Sequence, residues 1–389
     1  MAKILFLEWC DYMCYPTGGH LSFARHMLGA FGNDLKLVGI DTANECKVGA
    51  WMKRSIDGIE YDYFCVGSVK KSSKKPLIPS RITAYLQMRK YMCKILRTSY
   101  DYILIQTPEV LLSLPKKVLN KVCLIMPGVE NPLTISRYKI LQRFAGFYDG
   151  FFFKKASHVN AILPAADEKS IEAFIARGRG AIPQTKVRQF PTRYDANIFK
   201  VKDGDELRKK YGIMDNCILF VTVGRLNWFK GWKFMIDSLS RLNNPLAKLV
   251  FIGDGEDEYK IRDYVKEKKL DIQVDLIGRQ SLDVIADYLN MANAFIMGSY
   301  KEGWSTSLVE AVACACPCVV TDFSSASDMI EEGVNGWVIK NRNEDEFTRR
   351  MSDVLSLEKD KILEKAKNIS SLSVQNMREQ MILKADWKD

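Results

Sequence analysis

Histidine is nearly missing from this chain: three residues in 389, at His20, His26 and His158. That leaves little from which to build a histidine metal centre. Cysteine is more plentiful, but no pair recurs at zinc-finger spacing, and the one cluster, Cys314-Ala315-Cys316-Pro317-Cys318, reads as a buried turn from helix to strand. Thiols scattered through apolar surroundings fit a reducing compartment. No apolar run reaches the length of a membrane span, and the N-terminal Ile4-Leu5-Phe6-Leu7-Glu8 reads as a short strand stopped by a charge rather than a secretory signal. No Gly-x-Gly-x-x-Gly follows a strand, which disfavours a nicotinamide dehydrogenase. There is no internal repeat, and the one lysine-serine tract, 70–75, reads as a solvated loop.

Acidic residues are scarce in the first half only. Residues 1–195 hold 29 Lys/Arg against 16 Asp/Glu (+13), whereas 196–389 hold 28 against 31 (−3), which accounts for the net +10. A basic first half suits an anionic acceptor or an anionic membrane surface. Nucleic acid is the weaker partner, because no recognised binding module accompanies the charge.

What is present is alternation. Apolar strand-like runs at 4–7, 35–40, 61–66, 102–105, 122–126, 158–163 and 187–190 are separated by helical stretches such as 21–31, 82–96 and 169–176. The plan repeats at 218–223, 248–252, 273–277, 294–297 and 318–321. Strands that are apolar throughout, joined through helices, indicate parallel sheets covered on both faces, hence an α/β chain. A length of 389 residues exceeds one compact core. The sheet pattern breaks near 192–202, so two doubly wound domains are expected, 1–195 and 196–373, with a last helix at about 374–389 that has no strand after it.

The richest stretch is 299–315. It follows the strand at 294–297 and enters an apolar helix that breaks at Pro317; Glu302 and Glu310 flank Gly303, Ser305, Thr306 and Ser307. A loop feeding a helix start turns several N–H groups toward one spot, and the helix dipole favours phosphate there. Carboxylates on either side can hold sugar hydroxyls. The pattern points to a nucleotide-sugar site.

This stretch resembles the retaining glycosyltransferases of family 4, whose mark is a Glu, seven residues, then a second Glu. Val223-Gly224-Arg225-Leu226-Asn227-Trp228-Phe229-Lys230-Gly231 is similar to that family's diphosphate-binding segment, 251–255 and 275–279 to its strand ends beside the base, and 332–338 to its Gly-x-Asn-Gly turn. Gly18-Gly19 and the linker 190–199 are similar as well. The resemblance covers nearly the whole chain, densely in 217–340 and loosely in 40–155. It implies a GT-B fold, with two Rossmann-like domains facing each other across a cleft, the first binding the acceptor and the second the nucleotide-sugar donor, and a C-terminal helix, about 374–389, crossing back to the first.

It also implies roles. Arg225 and Lys230, with Gly224, would hold the diphosphate in place of a metal; Glu302, Gly303 and Trp304 would bind the transferred sugar. Glu310 would take the ribose hydroxyls, the Ser307 and Leu308 N–H groups would meet phosphate, and the base would lie beside Ile277, Gly278 and Arg279. Gly18 and Gly19 would let backbone approach the donor phosphates. Glu302, Arg225 and Lys230 are the expected catalytic set. Neither metal nor cofactor is expected, the nucleotide sugar being a substrate; Asp203-Gly204-Asp205 looks like a metal-binding Asp-x-Asp but has no strand before it.

Two departures stand out. Where the family commonly places a His after a middle strand of the first domain, this chain has 126–132 with no His, leaving Glu130 or Asn131 to fill the space; and Cys316 stands where the family usually carries Gly. The activity expected is transfer of a hexose, UDP-linked, to a glycan or lipid-diphosphate-linked glycan in cell-surface polysaccharide synthesis. The expected location is cytoplasmic, peripheral on the inner membrane face, with the basic-aromatic segment 137–155 a candidate for the membrane interface. The alternatives are a GT-B-shaped epimerase or hydrolase and a non-catalytic scaffold.

Overall fold

The computed structural model describes residues 2–16, 19–69, 79–134 and 139–388, the side chains of Lys139 and Leu141 excepted. The tract 70–75, Gly18 and Arg137 lie outside these. The chain divides into two units, Met1–Pro191 with Asn376–Asp389, and Thr192–Gln375.

The N-terminal unit is built on seven strands: β1 (Ile4–Leu7), β2 (Leu35–Asp41), β3 (Trp51–Ile56), β4 (Ile59–Ser68), β5 (Tyr102–Ile105), β6 (Val122–Met126) and β7 (Ala161–Pro164). Their order is β3-β4-β2-β1-β5-β6-β7. All pairings are parallel except the β3–β4 hairpin. Alternate side chains explain the two covered faces: Leu5 and Leu7 join one buried cluster, Ile4 and Phe6 the other. The last helix, Met377–Lys384, packs into the second cluster through Met377 and Met381, and Trp387 stacks on Tyr102 at 4.7 Å.

The C-terminal unit carries six parallel strands: β8 (Ile218–Val223), β9 (Ala247–Ile252), β10 (Val274–Leu276), β11 (Ala294–Met297), β12 (Cys318–Thr321) and β13 (Gly336–Ile339), ordered β10-β9-β8-β11-β12-β13. The chain runs outward from β8 through β9 and β10, then restarts at β11 on the other side of β8. The point where the order reverses, between β8 and β11, is where loops after adjacent strands diverge and a ligand crevice opens.

Several local expectations are corrected. The run 187–190 is not a strand; it makes a single bridge, Val187 to Ile162, plus hydrogen bonds from Arg188 N and Phe190 N to β7 carbonyls. β7 starts at Ala161, because His158 and Val159 are spent closing the end of the preceding helix. The edge strand β3 and the strand β13 were not foreseen. Ala315 takes the left-handed conformation that ends the helix, with φ +53°. The three cysteines around it are buried and unpaired.

Candidate functional site

The C-terminal unit brings Gly224, Arg225, Lys230 and Glu302 together at its reversal point. After β8 the chain turns at Gly224 and forms one turn of 3-10 helix, Trp228–Lys230, whose first orphan N–H groups are partly served by Asn227, its side chain accepting from Lys230 N at 3.2 Å. Gly231 then adopts φ +69° and starts the helix Trp232–Leu242. It has to be glycine: a Cβ there would sit 1.8 Å from the Gly298 carbonyl oxygen at the end of β11. This contact presses the two loops against each other.

Lys230 Nζ donates to Glu302 Oε1 at 2.6 Å, and the same oxygen accepts from Ser299 Oγ at 2.6 Å. Both Lys230 and Glu302 are half-buried, with Arg225 exposed beside them. Gly224, Arg225, Asn227, Lys230 and Ser299 line one small crevice. The Glu302 loop is held from behind by two residues. Thr321 Oγ1 donates to the Ser299 carbonyl at 2.7 Å, and Arg342 donates to the Ser299 carbonyl at 3.1 Å while its guanidinium lies 3.8 Å from the centre of the Tyr300 ring.

Ser305 caps the helix Thr306–Ala313, its Oγ accepting from Leu308 N at 3.4 Å, and Ser325 Oγ accepts from Ser305 N at 3.1 Å. The Leu308 N–H therefore has a long internal partner already, whereas Ser307 lies half-buried in the first turn. Trp304 is buried, and its indole N–H has no protein acceptor. Glu310 points from the helix interior with only 8% of its surface exposed, and burial pushes its carboxyl up to about 8. Ile277 and Gly278 are held by backbone bonds, Ile277 N to Phe251 O at 3.1 Å and Gly253 N to Gly278 O at 2.9 Å, with Arg279 exposed. Gly253 lies so close that a Cβ would meet Gly224 O at 2.0 Å, so the ends of β8 and β9 are fixed against each other.

Other expected residues serve the scaffold. Asp203 is a helix cap, its carboxylate accepting from Asp205 N at 3.0 Å and Glu206 N at 3.1 Å. Asn335 closes its own turn, Oδ1 accepting from Glu331 N at 2.8 Å. Among the described residues no three His, Cys, Asp or Glu side chains are grouped as metal ligands. Asn131 is buried and used twice: Oδ1 accepts from Leu133 N and Nδ2 donates to Ala145 O, each at 2.8 Å. That commitment removes it as a substitute for the missing His, whereas Glu130 stays exposed on a cavity of its own unit. Gly19 opens the helix Gly19–Phe31 at an exposed position with open space about it.

Sequence reasoning missed two sets of residues. Arg342 lies far along the chain from the loop it holds, and nothing local marks it. In the N-terminal unit, fully buried Glu8 faces His20 at 2.9 Å and accepts from Thr107 N at 3.1 Å and Thr107 Oγ1 at 2.7 Å. The available signal was a carboxylate directly after an apolar strand, with one of only three histidines just beyond the glycine pair.

Residues 203–371 match the family model for group 1 glycosyl transferases. An uncharacterized glycosyltransferase of Methanocaldococcus jannaschii is 25% identical over 70% of this chain and 66% of its own length, so the match spans just under two thirds of that relative. The Campylobacter jejuni N-acetylgalactosamine-N,N'-diacetylbacillosaminyl-diphospho-undecaprenol 4-alpha-N-acetylgalactosaminyltransferase is 24% identical over 77% of this chain and 78% of its own. Among solved structures, Anabaena HepE in complex with UDP superposes with a TM-score of 0.72 at 17% identity, covering 99% of each chain. The fold is GT-B.

Proposed function

We propose that this chain is a retaining, metal-independent glycosyltransferase that moves a hexose from a UDP-linked donor onto a glycan or lipid-diphosphate-linked glycan, in cell-surface polysaccharide synthesis. The observation that carries the reading is the Lys230–Glu302 pair, a cation and a carboxylate joined at 2.6 Å where the sheet order reverses and a capped helix begins nearby. The UDP in the Anabaena structure and the diphospho-undecaprenol in the Campylobacter enzyme's name support the donor and acceptor classes.

In this reading the sugar–phosphate bond breaks and negative charge grows on the departing diphosphate. Lys230 and Arg225 stabilise it, and the first turn of the helix Thr306–Ala313 adds N–H dipoles. A donor phosphate replaces Glu302 as the partner of Lys230, which frees Glu302 to accept from hydroxyls of the hexose. Glu310, neutral near pH 7 while buried, meets the ribose hydroxyls. Retention follows front-face attack, the acceptor hydroxyl passing its proton to the departing phosphate, so no histidine base is required. The exposed Phe144, Phe147 and Phe151, beside exposed Lys154, suit docking on an anionic membrane face. The test is transfer from a panel of nucleotide sugars, followed by mass spectrometry for the product's mass and proton NMR for its sugar and anomeric configuration: a glycosylated product with α-anomeric retention supports the reading, and donor turnover that yields only free sugar or an epimer refutes it.

A further inference from the structure

Three aromatic rings stand side by side on the C-terminal unit. Trp228, Phe229 and Tyr300 are 62%, 36% and 52% exposed, and their ring centres lie 5.3, 5.4 and 6.4 Å apart. Single exposed apolar side chains are ordinary on a protein surface, whereas a contiguous group of large rings marks a place where something docks. Phe229 and Tyr300 are inclined to each other at only 37°, and Trp228 stands across them at 88° and 56°. The group is a floor with one upright wall.

The rings are fixed in this arrangement. Gly231 N donates to Trp228 O at 3.0 Å and Tyr300 N to Phe229 O at 2.9 Å, so the loops after β8 and β11 hold each other. The Arg342 guanidinium lies against both Tyr300 and Phe234, 3.8 and 4.5 Å from their ring centres. A ligand would meet rings that are already ordered, which lowers the entropy cost of binding.

Size and charge narrow the occupant. Aromatic side chains offer about 150–250 Å2 each, so these exposures leave on the order of 300 Å2 uncovered. A stable protein partner needs about 800 Å2 on each side. An anionic membrane is opposed by charge: Asp254 and Glu256 are exposed on the loop after β9, which is tied to the loop after β8 by the bond from Leu226 N to Asp254 O at 2.8 Å. A bare hydrocarbon chain would lie beside the polar neighbours Asn227 and exposed Lys301. A sugar ring matches both parts, its C–H face lying on aromatic carbon and its hydroxyls turned to the polar neighbours. The rings stand outside the crevice lined by Gly224, Arg225, Lys230 and Ser299, so a sugar held on them is not the transferred hexose.

We propose that Trp228, Phe229 and Tyr300 form a stacking platform for an uncharged sugar ring of a longer glycan, at least one ring away from the point of transfer. Resting on the transferase reading, the acceptor then carries two or more sugar units. The test uses the full chain and saturation-transfer NMR with the neutral oligosaccharides maltotriose, cellotriose, mannotriose and chitotriose. At least one should bind. Its affinity should fall about fivefold or more in Trp228→Ala and in Tyr300→Ala, and Trp228→Phe, which keeps a ring, should retain most of it. Absence of binding by every oligosaccharide, or unchanged affinity in both alanine variants, overturns the proposal. So does flotation with phosphatidylglycerol vesicles that is lost in Trp228→Ala while no oligosaccharide binds. UDP titrated into the parent separates the two readings. UDP binding without oligosaccharide binding refutes the platform alone, whereas Trp228-dependent oligosaccharide binding without UDP binding keeps the platform and removes the transferase reading.

Discussion

Lys230 Nζ and Glu302 Oε1 are 2.6 Å apart, although 72 positions separate them in the chain, because the loops after β8 and β11 meet where Gly231 touches Gly298. The cation is thus held in place before any donor arrives, at the cost of one exchange of partners when phosphate enters.

Replacing Lys230 by Ala should remove the main counter-charge to the leaving diphosphate. Loss of one such contact costs on the order of 3 kcal/mol of transition-state stabilisation, roughly a hundredfold in rate. Steady-state transfer by the purified variant, with its melting temperature within a few degrees of the parent's, is the check; full activity refutes the role.

Arg342 predicts a subtler loss. It holds the Ser299 carbonyl and covers the Tyr300 ring, so Arg342→Lys should keep the charge but lose the planar fork and stacking. The expected outcome is about a tenfold fall in kcat/KM for donor, visible mainly as weaker discrimination between hexose epimers, because the loop carrying Glu302 is displaced. A variant that melts lower yet discriminates as the parent does would reduce Arg342 to a structural part.

Glu310 gives a prediction in pH. Its carboxyl is raised from an ordinary 4.5 to about 8 by burial, so the folded state holds a proton that the unfolded state has lost between these values. Stability should therefore fall as pH rises from about 4.5 to 8. Glu310→Gln removes that dependence. The variant should gain stability over the parent at pH 8, by at most about 5 kcal/mol, with the difference vanishing near pH 4.5. Parallel melting curves across this window are the check, and an equal offset at every pH contradicts the assignment.

Gly231→Ala tests the loop contact itself. With φ +69° and a carbonyl oxygen 1.8 Å from the new Cβ, the loops must separate. A loss of at least about 2 kcal/mol and a drop of roughly 5 °C or more in melting temperature are expected. An unchanged melting temperature would show that the loops yield freely.

The parallel strands were legible because their burial on both faces leaves continuous apolar runs, as in 294–297 and 318–321. The edge strand β3 was not, since Lys53 and Arg54 interrupt it and its pairing is a hairpin with one open side. Val187 and Phe190 are apolar for the opposite reason: they pack against β7 without extending the sheet. Glu302, Lys230 and Glu310 could be picked out because motif residues cluster within short segments. Glu8 and Arg342 could not, since each acts on a loop that only the folded sheet brings near. Ala315 shows the limit at one position: the helix-ending conformation fell one residue before the cysteine that drew attention.

The most direct test of the account is calorimetric titration of UDP into the parent protein and Lys230→Ala, both without acceptor. Binding by the parent that weakens at least about tenfold in the variant is the result predicted. Equal affinity in the two proteins, or no binding of any nucleoside diphosphate by the parent, would contradict it.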